Sequence, residues 1–99
     1  MADRLDLHSV FINITRNVYY QPPASMRLSY PAIVYKRSKI ENMHANNSVY
    51  KQNNAYQVTV IDEDPDSEIV KQVSLLPYCS FMNHFTSDNL NHDVFTIYY

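Results

Sequence analysis

Over the first fifteen residues the apolar side chains fall at Leu7, Val10, Phe11 and Ile14. That i, i+3, i+4, i+7 spacing collects one face of an α-helix. Val10, Ile12 and Ile14 also alternate as a strand would, but the helix is the preferred reading, and Asp3 or Asp6 can cap its start. Residues 17–21 are β-prone around Val18-Tyr19-Tyr20, and Pro22-Pro23 ends them. Residues 22–30 read as an extended connection. Pro31 then stands where a strand tolerates proline, at its first position, ahead of Ala32-Ile33-Val34-Tyr35-Lys36. Residues 38–55 are polar, rich in asparagine and without a clear period, so they form either a long loop or the far end of a β-hairpin. Tyr56-Gln57-Val58-Thr59-Val60-Ile61 is the clearest strand, with Tyr56, Val58 and Val60 on one face.

The pattern changes period at Asp62. Asp64 followed by Pro65 predicts a helix over residues 64–76, with Asp64 as N-cap and Pro65 at the first helical position. Asp66 and Glu68 complement the helix dipole. Ile69, Val70, Val73 and Leu76 supply the buried stripe, and Pro77 stops the helix. Two further strands follow, roughly residues 78–85 and 92–99, joined by Thr86-Ser87-Asp88-Asn89-Leu90-Asn91. The order α-β-β-β-α-β-β over residues 1–99 predicts a single α+β domain: a mostly antiparallel β-sheet with two helices packed on one face.

Composition sharpens this in three places. The 99 residues contain no glycine, which excludes Gly-rich phosphate loops and dinucleotide fingerprints. Residues with positive φ must then come from elsewhere, and the ten asparagines are the readiest source. Asn46-Asn47, Asn53-Asn54 and Ser87-Asp88-Asn89 are accordingly expected to be turns. One cysteine, Cys79, allows no internal disulfide and fits a reducing compartment. No apolar run is long enough for a membrane helix, and residues 1–6 have no signal-peptide core, so no membrane partner is expected.

The net charge of −2 conceals a segregation along the chain. Residues 16–51 carry Arg16, Arg27, Lys36, Arg37, Lys39 and Lys51 against Glu41, a balance of +5. Residues 52–99 carry Lys71 against seven acids, a balance of −6. A negative chain is not expected to bind nucleic acid specifically. A solvated surface explains such a bias, and so does self-complementarity, in which the basic part of one copy meets the acidic part of the next. Nine tyrosines exceed what one small core buries with satisfied hydroxyls. Tyr50, Tyr98 and Tyr99, in a loop region and at the chain end, are the candidates for an exposed, interface-forming role.

Enzymatic and metal chemistry find little support. Residues 62–68 alternate acids like the start of a calcium loop, but Ser67 stands where glycine is needed and Val73 where glutamate is needed. Cys79, His84 and His92 lack zinc-ligand spacing, and further ligands would have to come from His8 or His44. Ser87, His92 and Asp93 resemble a nucleophile system in composition alone, and a polar hairpin turn accounts for the same residues. A minor enzyme using His84, His92 and Asp93 stays a distant alternative. No cofactor and no catalytic residue is expected.

Three blocks carry a resemblance when taken in order: Tyr19-Tyr20-Gln21-Pro22-Pro23 leading to Tyr30-Pro31-Ala32-Ile33-Val34-Tyr35; Tyr56-Gln57-Val58-Thr59-Val60-Ile61-Asp62 leading to Asp64-Pro65-Asp66-Ser67; and Asp88-Asn89-Leu90-Asn91-His92-Asp93-Val94-Phe95. Together they resemble the small tail-terminator, or tail-completion, proteins of long-tailed bacteriophages. The resemblance implies a structural protein of the virion, assembled in the host cytoplasm. It implies a ring, commonly a homo-hexamer, that caps the tail tube, ends its polymerisation and meets the head–tail connector or a head-closure protein. A head-closure protein of the same neck region and a small regulatory protein-binding module are the alternatives. For a ring, the expected subunit interface joins Lys36, Arg37, Lys39, Met43, His44, Tyr50 and Lys51 on the basic side to Asp62, Glu63, Asp66 and Glu68 on the acidic side, with Tyr98 and Tyr99 beside them.

Overall fold

The computed structural model describes residues 4–45 and 48–99, and the side chains of all of these except 41–45 and 48–53. Helix α1 spans Arg4–Ile12, and β1 (Val18–Tyr20), β2 (Ala32–Ala45) and β3 (Ser48–Asp62) follow. Helix α2 (Glu68–Ser74), β4 (Cys79–Ser87) and β5 (Leu90–Tyr98) complete the chain. The element order is the one the sequence pattern predicts. The five strands form one sheet in the order β1-β2-β3-β5-β4. Every pairing is antiparallel except β1 with β2, which is parallel, so residues 21–31 carry the chain back to the start of β2.

Alternation along the strands builds the core. Ile33 and Tyr35 of β2, Tyr56, Val58 and Val60 of β3, and Phe95 and Ile97 of β5 share one face and are almost fully buried. Leu7 and Phe11 of α1 and Val73 of α2 close over that same face. The protein is therefore an α+β domain with both helices on one side of a mostly antiparallel sheet. Burial of a Val, Leu, Ile or Phe side chain contributes about 1.5–3 kcal/mol, so this single layer of contacts is the main source of stability. The opposite face, at Val34, Lys36, Gln57, Thr59, Val94 and Thr96, carries no helix and is half-buried to exposed.

Three expectations need correction. Helix α2 begins at Glu68, and its N-cap is Ser67, whose Oγ accepts from the Ile69 N–H at 3.2 Å. Asp64 caps an earlier turn instead: its Oδ1 accepts from the Asp66 N–H at 2.9 Å, while its own N–H donates to Asp62 Oδ1 at 3.0 Å. The reason is burial. Ser67 is only 4 % exposed, and a small neutral hydroxyl loses less on leaving water than a carboxylate does.

Asn53-Asn54 is no turn, because both residues lie within β3, opposite Glu41 and Ile40. Asn46-Asn47 lies outside the described residues. The positive-φ positions among the described residues are Asp88 and Asn89, at 53° and 63°, together with Gln21 and Tyr78. The link between β4 and β5 shortens accordingly. Ser87 pairs with Leu90, leaving a two-residue turn with both central residues left-handed, the geometry that suits strand twist.

Residues 38–55 take the second of their two expected forms, the far end of a β-hairpin, with 46–47 outside the described residues. β2 and β3 stay paired out to Ala45 and Ser48, whereas β5 ends opposite Ala55 and β1 ends opposite Tyr35. Residues beyond these points form a two-stranded arm with no third strand beside it. A strand of fifteen residues reaches about 50 Å, and the molecule is 52 Å along its longest axis.

Candidate subunit interface

The strand register sets Lys36 and Arg37 apart from the acidic residues that end and follow β3. Lys36 and Arg37 sit on β2 at the base of the arm and are exposed, with Arg37 opposite Tyr56. Asp62 ends β3 six positions further along, and Glu63 and Asp66 follow in the exposed turn. Six strand residues separate the two groups by about 20 Å, more than side chains can bridge. Neither Lys36 nor Arg37 has an ion-pair partner among the described residues.

The acidic end is organised by backbone contacts. Asn91 Nδ2 donates to the carbonyls of Asp62 and Glu63, at 3.3 and 3.2 Å. This draws the 62–66 turn against the start of β5, next to the hairpin tip at Asp88. Glu68 stands apart from that group, because its carboxylate meets Lys71 Nζ at 3.2 Å on the exposed side of α2. Such an exposed i, i+3 pair contributes only a few tenths of a kcal/mol.

The other expected interface residues are distributed unevenly. Lys39 lies on the arm and is exposed. The side chains of Met43, His44, Tyr50 and Lys51 lie outside the described residues, although their backbone places them on the arm. Tyr98 is 43 % exposed. Tyr99 departs from the expectation: it packs against the core, and its N–H donates to the Asn54 carbonyl at 3.0 Å. Tyr99 is held there because the arm strand runs beside it and offers a carbonyl.

The sequence pattern placed a strand over residues 78–85, but not its position as the exposed edge strand β4. Phe81 and Met82 are 58 % and 61 % exposed, and Phe85 is largely open as well. Leu75 and Tyr78 lead into the strand and are the most exposed large apolar side chains described. Phe81 meets Phe95 edge-on at 5.6 Å, and Phe85 stacks on His92 at 4.6 Å, so the ribbon is held in place from one side only. The signal was available in the run Tyr78-Cys79-Ser80-Phe81-Met82, but exposure cannot be read from a strand pattern until its neighbours are known.

Two histidines of the β4–β5 hairpin have polar partners. His84 Nδ1 lies 2.7 Å from Asp93 Oδ1 across the β4–β5 ladder. His92 Nδ1 instead faces the Leu90 carbonyl at 3.2 Å. Burial pushes the Cys79 thiol pKa up, which lowers its nucleophilicity at neutral pH. Among the described residues no three His, Cys, Asp or Glu side chains are close enough to hold a metal ion, and no helix is long and apolar enough to cross a membrane. The chain matches no protein-family model and no characterised protein at a significant level.

Proposed function

We propose that this chain is a tail terminator of a long-tailed bacteriophage, a structural and non-enzymatic protein of the virion neck. Copies join head to tail into a closed ring, commonly of six. The ring seats on the last layer of tail-tube protein, stops further addition, and offers its other face to the head connector. The reading rests on the three sequence blocks described above and on one structural observation: Lys36 and Arg37 stand apart from Asp62, Glu63 and Asp66 along a 52 Å molecule. The two sets cannot reach each other within one copy but can do so between copies. A heterologous interface of this kind closes into a ring when its rotation closes. Its charges speed and orient encounter more than they add affinity.

Growth stops on this reading because the exposed ring face lacks the surface that the next tube subunit needs. The test is to disrupt the gene in the phage that carries it and image the products. Overlong tails detached from heads are expected, with normal tails restored by the chain supplied in trans. Tails of normal length without the protein would overturn the reading.

A further inference from the structure

We propose that the open face of the sheet binds single-stranded nucleic acid without base specificity, its lysines holding phosphates and its exposed aromatic rings stacking on bases. Such binding needs neither a ring nor a second copy of the chain. Three observations lead to it.

The first is the way the strand register sorts charge. Cross-strand partners share a face, and successive residues alternate between faces. Lys36, Gln57, Thr96 and Ser80 therefore form one row on the side away from the core, and Val34, Thr59, Val94 and Asn83 form the next. Ala32, Ile61, His92 and Phe85 end the face on one side. Lys39, Ala55 and Tyr98 end it on the other, beyond the bulge in β2. Among the described side chains these rows hold two lysines and no acid. Asp93 pairs with Val60 and so falls on the helix side. Further along the arm, Glu41 and Lys51 take register positions on the open face. The net charge of −2 argues against nucleic acid only while the two faces are summed together, and phosphates would meet one of them.

The second is aromatic. Tyr98 is 43 % exposed on this face and is separated from Lys39 by the small side chain of Ala55. Phe85, 44 % exposed, stands at the far end and stacks on His92 with ring planes 12° apart. His92 and Tyr98 lie six residues apart on β5, about 20 Å. A sheet face that offers rings at such separate points suits a single strand, whose unpaired bases are free to stack. Stacking of this kind accepts any base, because each has a π-face.

The third is access. Leu7, Phe11 and Val73 bring both helices against the other face, so the open face is free of helix. Gln21 and Pro22 border it beside β2, leaving an open groove of about 480 Å³ whose charged lining residues are Lys36 and Arg37. Gln57 and Thr59 line the same groove and supply neutral donors for phosphate oxygens. An acidic protein segment would satisfy the lysines but would leave the exposed rings of Tyr98 and Phe85 unused. A nucleic-acid strand engages both sets of groups.

The experiment uses the full-length chain and a fluorescein-labelled oligothymidylate, read by anisotropy between about 50 and 200 mM salt. Native circular dichroism is required of each variant. The parent should bind, and binding should weaken as salt rises. Lys36→Ala combined with Lys39→Ala should lower affinity about tenfold and flatten the logarithmic salt slope by about 1.4, the value for two lost phosphate contacts to a single strand. Tyr98→Ala should lower affinity about fivefold or more with the slope unchanged, and Tyr98→Phe should bind like the parent. Lys71→Ala, on the helix side, should also bind like the parent. A parent chain that does not bind would overturn the proposal, as would a folded double-lysine variant of parental affinity. Equal losses in Lys71→Ala would show attraction without a defined face and would also overturn it. Duplex DNA or polyglutamate bound as tightly as the oligothymidylate would reduce the contact to plain charge and remove the single-strand assignment.

Discussion

The phenolic oxygen of Tyr35 on β2 stands 2.7 Å from Nδ1 of His8 on α1. Arg4 Nη1 donates to the same oxygen at 3.2 Å, and its guanidinium lies 4.3 Å over the ring of Tyr20. The Tyr35 ring packs edge-on against Phe11 at 5.1 Å and lies tilted against Tyr20 at 4.9 Å. One side chain thus joins helix to sheet through both its apolar ring and its polar tip, which is how a buried tyrosine avoids an unsatisfied hydroxyl. Replacing Tyr35 by Phe should keep the fold and lower stability by about 1–3 kcal/mol, read as a shift in the urea midpoint at constant slope.

The same residue predicts an alkaline limit. Burial raises the Tyr35 pKa above its ordinary value, with the nearby Arg4 offsetting part of the rise. The folded chain then holds the phenolic proton more tightly than the unfolded chain does. The contribution is fully present below the unfolded value near pH 10 and is lost as pH rises through the folded value. Urea midpoints measured from pH 8 to 11.5 should fall above about pH 10, and Tyr35→Phe should flatten that fall. An equally steep fall in the variant would assign it to other groups.

At the second helix, Ser67→Ala removes the cap and should cost about 0.5–2 kcal/mol. Asp64→Ala, which removes only the upstream turn contact, should cost less. Equal losses for the two changes would mean that the turn and the helix form as one unit.

The β4–β5 turn makes a conformational prediction. Asn89 has φ 63°, where an L-residue without a small polar side chain loses about 1–2 kcal/mol. Asn89→Ala should destabilise by roughly that amount, whereas Asn89→Gly should be close to neutral, as thermal melts of the two variants would show.

The charge reversal Arg37→Glu tests the proposed interface without touching the core. Assembly should fall sharply, because like charges would then face each other across the contact. Replacing Asp62, Glu63 or Asp66 by Lys in the same chain should restore part of it, and Lys36→Ala or Lys39→Ala should be mild. Light scattering, or tail length in a complementation assay, reads the outcome. Unchanged assembly in Arg37→Glu, with no coupling in any paired reversal, would count against the electrostatic contact.

Periodicity is a local property, and it determined a good deal here. The Leu7–Phe11 stripe, the alternation through Val58 and Val60, and the order of seven elements all follow from side chains a few positions apart. So does the division of charge, although a sequence shows only that the two signs are separate, not that they stand about 20 Å apart. The choice of Ser67 over Asp64 as cap depended on which of them the tertiary packing buried. Whether residues 38–55 were loop or strand depended on β2 and β3 finding each other across the chain. Tyr99 became partly core because the Asn54 carbonyl lay beside it, and β4 became an exposed edge because, among the described residues, β5 is its one strand neighbour. Pairing and exposure are relations between distant residues. They are set when the sheet assembles, and no window of the sequence contains both partners.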